Sequence, residues 1–256
     1  MKTKFLHIAT ALLFAGFTSS CSDFLDRYPL DELSDSSFWK TENDAMMAVT
    51  DIYGCLPTWD QDEDINSDNA VHGIKWAAGN ISKGIYDPMD QSWAGSYTPI
   101  RQCNLVLEKV KDIEMSDESR KKIEGQAYFF RAFVYFNLIR SFGDVPYIDK
   151  PLNLTDVEDI TRTPREEVYA KVMADFDKAI EYLPEEWDAA NTPRVTKGAA
   201  LAMKARAALY YNNWQVAADA SKAVMDLGKY ELYDAGNTGK YQELFWEKSD
   251  GCDENI

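Results

Sequence analysis

Histidine is nearly missing from this chain: two residues in 256, of which only His72 lies beyond the first twenty. With no second histidine to complete a metal pair, and no HExxH, phosphate-binding glycine loop or GxSxG, the chemistries those motifs announce have no footing. Cysteine is scarce as well. Cys21, Cys55, Cys103 and Cys252 form no CxxC pair, and a chain of this size needs no disulfide staple, so buried free thiols are expected beyond Cys21, with one disulfide the alternative. Basic residues are outnumbered 27 to 43, leaving a formal charge of −16 that repels nucleic acid and anionic membrane surfaces. Asp60, Asp62 and Asp64 alternate as in a calcium loop, but Ile65 stands where that loop needs Gly and Val71 where it needs a bidentate Glu. A solvated acidic loop is the reading, with no metal and no cofactor. Paired carboxylates for glycoside hydrolysis are not excluded by spacing. The acids nevertheless fall on predicted helix faces and in one loop, with no sign of a barrel, so a non-catalytic protein is expected.

What is present begins with a leader. Lys2 and Lys4 precede an apolar stretch from Phe5 to Phe17, and Thr18, Ser19 and Ser20 lead into Cys21. Residues 1–20 read as an export signal, with Cys21 the acceptor of bacterial lipoprotein acylation; a plain secreted protein with an incidental Cys21 is the other reading. Acyl chains would anchor the chain to a membrane without spanning it. Residues 21–40 are polar and aperiodic, suiting a tether. The folded domain is expected over residues 41–256.

Helical spacing dominates that domain. Thr41, with Asp44 three residues on, predicts a capped helix to about residue 55, with Ala45, Val49, Ile52 and Tyr53 on one side. A second helix is predicted over 93–113, with Trp93 and Tyr97 as core, and a third begins at Ser116 or Asp117. The third carries two stripes: Ile123, Ala127, Phe130, Val134 and Leu138 on one side, Tyr128, Ala132, Tyr135 and Ile139 on another. A helix apolar on two sides must be sandwiched. Arg131 and Asn137 inside it, and an apolar run shorter than about 20 residues, argue against a membrane span, and Arg131 should pair with a carboxylate of a packed neighbour. Gly143 suits a left-handed cap and Pro146 a stop. After a linker at 149–163, Pro164 is expected in the first turn of a helix running to 183, with Val168, Val172, Phe176, Ala179, Ile180 and Leu183 inside. Residues 196–211 and 214–227 form a hairpin about Asn212 and Asn213, where Ala205, Ala208 and Ala217 permit close approach beside Leu201 and Trp214, as in a tetratricopeptide repeat.

The string RAFVYFNLIRSFGDVPYI, with the opening CSDFLDRYPLDELSDSSFW and the pair Asn104–Leu105, resembles the SusD/RagB family of outer-membrane nutrient-binding lipoproteins. The resemblance implies an all-α fold, a TPR-like helical array with long irregular loops. It also implies a lipid-anchored protein at the bacterial cell surface that binds oligosaccharides without cleaving them and delivers them to a SusC-like TonB-dependent outer-membrane transporter. Asp23, soon after Cys21, resembles the surface-export tag of that group. Family members are about twice as long, and residues 231–256 resemble the middle of one, so this chain is expected to be an amino-terminal half.

Candidate glycan contacts lie between the first two helices. From Leu56 to about residue 92 helical period is lost, and Trp59, Trp76 and Tyr86 stand among Asn80 and several acids. Long loops in compact domains tend to be functional. Aromatic faces stack on the apolar faces of sugar rings while amides bond to hydroxyls, and the same aromatics would serve equally to plug the loop onto the helical body. The alternative function is a helical-repeat surface module that holds peptide or protein partners.

Overall fold

The computed structural model describes residues 38–56, 93–157 and 159–232, with Gly84, Cys252, Glu254 and Ile256. The chain divides into two units, residues 1–39 and 40–256. Of the first, Phe38 and Trp39 are described, their rings edge to face at 5.2 Å.

The second unit is helical, with no strand among its described residues. Helix α1 (Glu42–Ile52) starts where its cap dictates: Asp44 N–H donates to Thr41 Oγ1 at 3.2 Å, and Thr41 N–H donates back to Asp44 Oδ2 at 2.7 Å. Ala45, Val49 and Ile52 are fully buried, and a 3₁₀ turn, Tyr53–Cys55, follows. Helix α2 (Trp93–Lys109) ends in another, Val110–Asp112, and Ser116 caps α3 (Asp117–Phe142). Helices α1, α2 and α4 (Arg165–Tyr182) all pack on α3, which is therefore enclosed as its two stripes require. Phe129 and Phe136 join them in the core.

The segment after α3 is a seam. Gly143 adopts φ 69°, ψ −118°, a conformation open only to glycine, so the expected left-handed helical cap gives way to an extended exit. Val145 then pairs with Thr163 in an antiparallel bridge, each N–H donating to the other's carbonyl at 3.2 and 2.9 Å. Tyr97 donates its hydroxyl to Pro146 O at 3.0 Å, and the Tyr147 ring lies 4.8 Å from Tyr135. Pro164 is the N-cap of α4 rather than part of its first turn: it has no side-chain acceptor, and the Asp144 carboxylate takes the Arg165 N–H at 2.9 Å instead. The Gly-Asp-Val-Pro run thus turns the chain, caps the next helix and closes the core in four residues.

Helices α5 (Lys197–Tyr210) and α6 (Trp214–Asp226) form the hairpin, turned by Asn212 at φ 57°. Ala207, Ala208, Ala217 and Ala220 are buried with Leu201, while Ala205 is half-buried. Trp214 departs from expectation. It opens α6 and is 60% exposed, largely outside the helix contact that its place in the hairpin predicts.

Candidate functional site

Arg131 is held in the core. Its Nε and Nη2 donate to the two Asp175 oxygens at 2.7 Å each, and Nη1 donates to Asn104 Oδ1 at 2.8 Å. Asn104 in turn donates from Nδ2 to Ile148 O at 2.9 Å. One side chain from each of α2, α3 and α4 is thereby fixed against the seam. Burial works against the guanidinium charge, but the hydrogen bonds and attraction of Asp175 outweigh it and raise the Arg131 pKa. Arg131 and Asp175 are 7% and 6% exposed, so this is a clamp and not a ligand contact.

A cleft of about 490 Å³ opens between α1, α2 and α3. Asp51, Gln102 and Asn137 bring carboxylate and amide groups to it, Thr98 a hydroxyl and Phe133 an aromatic ring; Gln102 Nε2 donates to the Asp51 carboxylate. Gly54 and Cys55 line it from one side and Gly95 and Ser96 from another. All four lie within four positions of the ends of the segment 57–92. The cleft therefore stands at the root of the segment carrying the candidate glycan residues. Trp59, Trp76, Asn80 and Tyr86 themselves, like Cys21, lie outside the described residues. Trp93 and Tyr97 have packing roles: the Trp93 ring meets Phe142 edge to face at 4.8 Å, with the Arg162 guanidinium 5.1 Å from its centre, while Tyr97 bonds to the seam.

Cys55, Cys103 and Cys252 are free thiols, Cys103 buried and Cys55 half-buried. Burial pushes the Cys55 thiol up to about 11 and Cys103 higher still. At pH 8 only about one Cys55 in a thousand is thiolate, so iodoacetamide should label it roughly 100-fold more slowly than an ordinary exposed cysteine, accelerating as pH approaches 11. Peptide mapping after timed alkylation checks this; labelling at the ordinary rate at pH 8 contradicts it. Among the described residues there is no cluster of three or more His, Cys, Asp or Glu able to hold a metal ion, and no helix long and apolar enough to cross a membrane.

Residues 24–209, well over half of the chain, match the SusD-like family described as starch-binding and associating with the outer membrane. The chain belongs to the SusD-like family. SusD-like protein P2 of Formosa agariphila is 29% identical over 240 residues, 88% of this chain and 46% of that protein. A SusD-like protein of Bacteroides fragilis superposes with a TM-score of 0.78 at 28% identity, covering 89% of this chain and 46% of the other. A SusD-like carbohydrate-binding protein of the same species has a TM-score of 0.68 at 26% identity, covering 81% and 44%. The chain spans about half the length of the curated relatives it matches. Of the residues that carry the SusD-like resemblance, Asn104 and Arg131 stand in the clamp that joins α2, α3 and α4.

Proposed function

We propose that this SusD-like chain captures oligosaccharides at the outer membrane without cleaving them and passes them to a SusC-like TonB-dependent transporter. Trp59, Trp76 and Tyr86 supply stacking surfaces, Asn80 hydrogen bonds to hydroxyls, and Cys21 carries the lipid. The observation that carries the reading is membership of a starch-binding family that associates with the outer membrane, supported by likeness to a carbohydrate-binding SusD-like protein. The geometry agrees with it. A cleft lined by a carboxylate, two amides, a hydroxyl and one aromatic ring suits a polyhydroxylated ligand better than an ionic or a purely apolar one. It lies at the root of the segment that bears the stacking residues, where loop and cleft would act on the same sugar chain.

The test is calorimetric titration with an oligosaccharide selected on a glycan array, comparing the native chain with the Trp59→Ala, Trp76→Ala double variant. Two lost stacking contacts should weaken binding by roughly 10- to 100-fold. Unchanged affinity would remove these residues from the site while leaving the fold as described. Purification from native outer membranes in mild detergent tests the second half, with a large TonB-dependent barrel expected to accompany the protein. The surface-module alternative draws on Leu209, Tyr210, Trp214 and Met225, all more than half exposed on the α5–α6 hairpin, and is favoured if a soluble protein partner is recovered in place of the barrel.

A further inference from the structure

A second cleft, about 770 Å³ in volume, opens between the turn after α1, the segment joining α4 to α5, and the chain after α6. Three half-buried aromatic rings line it, Tyr53 at the base and Trp187 and Tyr230 at the sides, and all have their polar ends tied down. The Trp187 indole N–H donates to Val195 O at 2.8 Å, and the Tyr230 hydroxyl lies 3.3 Å from Thr196 Oγ1. What such rings retain for a ligand is their faces. Gly198 makes the second position possible: a Cβ there would overlap the Tyr230 hydroxyl and ring edge, so any larger residue displaces the ring. The base is fixed too. Tyr53 donates its hydroxyl to Gln126 Oε1 at 2.8 Å and accepts the Val195 N–H at 3.0 Å, while Arg194 donates to Gln126 Oε1 at 3.2 Å and to Thr50 Oγ1 at 3.1 Å.

The charges select the ligand class. Glu185 and Glu186 stand against Arg194 and Lys229, with Lys229 Nζ 2.8 Å from Glu186. Two acids balanced by two bases favour neither a polyanion nor a polycation. A purely apolar occupant would strip water from this charged rim without replacing its hydrogen bonds. A neutral ring with hydroxyls at its edge and C–H groups on its faces satisfies both halves of the lining. We infer that this cleft is itself a saccharide-binding site, with Trp187 and Tyr230 as its stacking platform and Glu185 and Lys229 as hydroxyl partners. It rests on the proposed function for its class of ligand and on none of the residues named there. Preorganisation of the rings by the scaffold means that little ordering is needed on binding.

The experiment records the Trp187 indole N–H resonance of the ¹⁵N-labelled chain while maltoheptaose, laminarihexaose, xylohexaose and mannohexaose are titrated in turn, with Trp187→Phe assigning the signal. At least one oligosaccharide should shift it in a saturable way. Tyr230→Ala should weaken that titration by about tenfold, and Gly198→Ala, which moves the ring without removing it, should weaken it in the same direction. Trp59→Ala with Trp76→Ala should leave it unchanged. If no oligosaccharide moves the Trp187 signal, or if Tyr230→Ala titrates like the native chain, the site is refuted, even where the loop variants lose binding of their own. A Trp187 shift that is weakened by Tyr230→Ala and survives the loop variants supports this cleft, whatever the loop variants do to binding elsewhere.

Discussion

Asp175→Ala is expected to lower the stability of the folded chain by about 3–5 kcal/mol, because it leaves a charged guanidinium buried and unpaired. Both Asp175 oxygens accept from Arg131 at 2.7 Å, and the pair is more than nine-tenths buried, so water cannot replace the lost carboxylate. Arg131 cannot escape by releasing its proton, since even a substantial fall in its pKa leaves it charged near neutrality. The remaining partner, Asn104 Oδ1 at 2.8 Å, satisfies one of its five donors and carries no charge. Against a typical total of about 5–15 kcal/mol, the loss is a large share. Urea midpoints followed by far-UV circular dichroism measure it. The double replacement Arg131→Met, Asp175→Leu removes both charges and should recover most of the deficit, since the pair's attraction is largely cancelled by its desolvation. A single variant costing less than about 1 kcal/mol would mean that the clamp is hydrated in solution.

Asp175 also marks the limit of what the sequence discloses. The ends of the helices are legible because their causes are local: Thr41 and Asp44 are three residues apart, Ser116 caps the helix that follows it, and the two stripes of α3 repeat at helical spacing. Arg131 announces that it needs a carboxylate, and nothing in the sequence says which. Asp175 stands beside the α4 stripe of Val172, Phe176 and Ala179 and looks like any solvated acid until α4 packs on α3. Pro164 is displaced by one position for a similar reason, as the acceptor for Arg165 N–H comes from Asp144, 21 residues upstream. At Gly143 the residue type foretells a positive φ, while ψ depends on where the seam must go. The clefts are less legible still. Tyr53, Gln126 and Val195 meet across more than 70 residues at each step or nearly so, and no periodicity encodes that meeting. Trp59, Trp76, Asn80 and Tyr86 stand out by composition within a stretch lacking period, which indicates surface chemistry without fixing a geometry.

Alkaline pH should unfold the protein through Tyr135. Its hydroxyl donates to Ile148 O at 3.1 Å and accepts the Ile148 N–H at 2.7 Å, inside the junction of α3 with the seam. Burial raises its pKa above the value of about 10 that a tyrosine has in an unfolded chain. The neutral phenol therefore contributes its full stabilisation below pH 10. Above that pH the unfolded chain has released the proton and the native chain still holds it, so stability falls by about 1.4 kcal/mol for each pH unit. Between pH 10 and 12 this one group removes roughly 3 kcal/mol. Tyr97 is also raised by burial, as is Tyr147, to about 12; both are more exposed and add smaller amounts in the same direction. Urea midpoints at pH 8, 10, 11 and 12 should be level to pH 10 and then drop. Tyr135→Phe should start about 1–3 kcal/mol lower at pH 8, because the Ile148 N–H loses its acceptor while the Ile148 carbonyl keeps only Asn104 Nδ2, and should then decline less steeply. A native midpoint that stays flat to pH 12 would show that Tyr135 reaches solvent, and an unchanged slope in Tyr135→Phe would assign the alkaline loss to the other tyrosines of the seam.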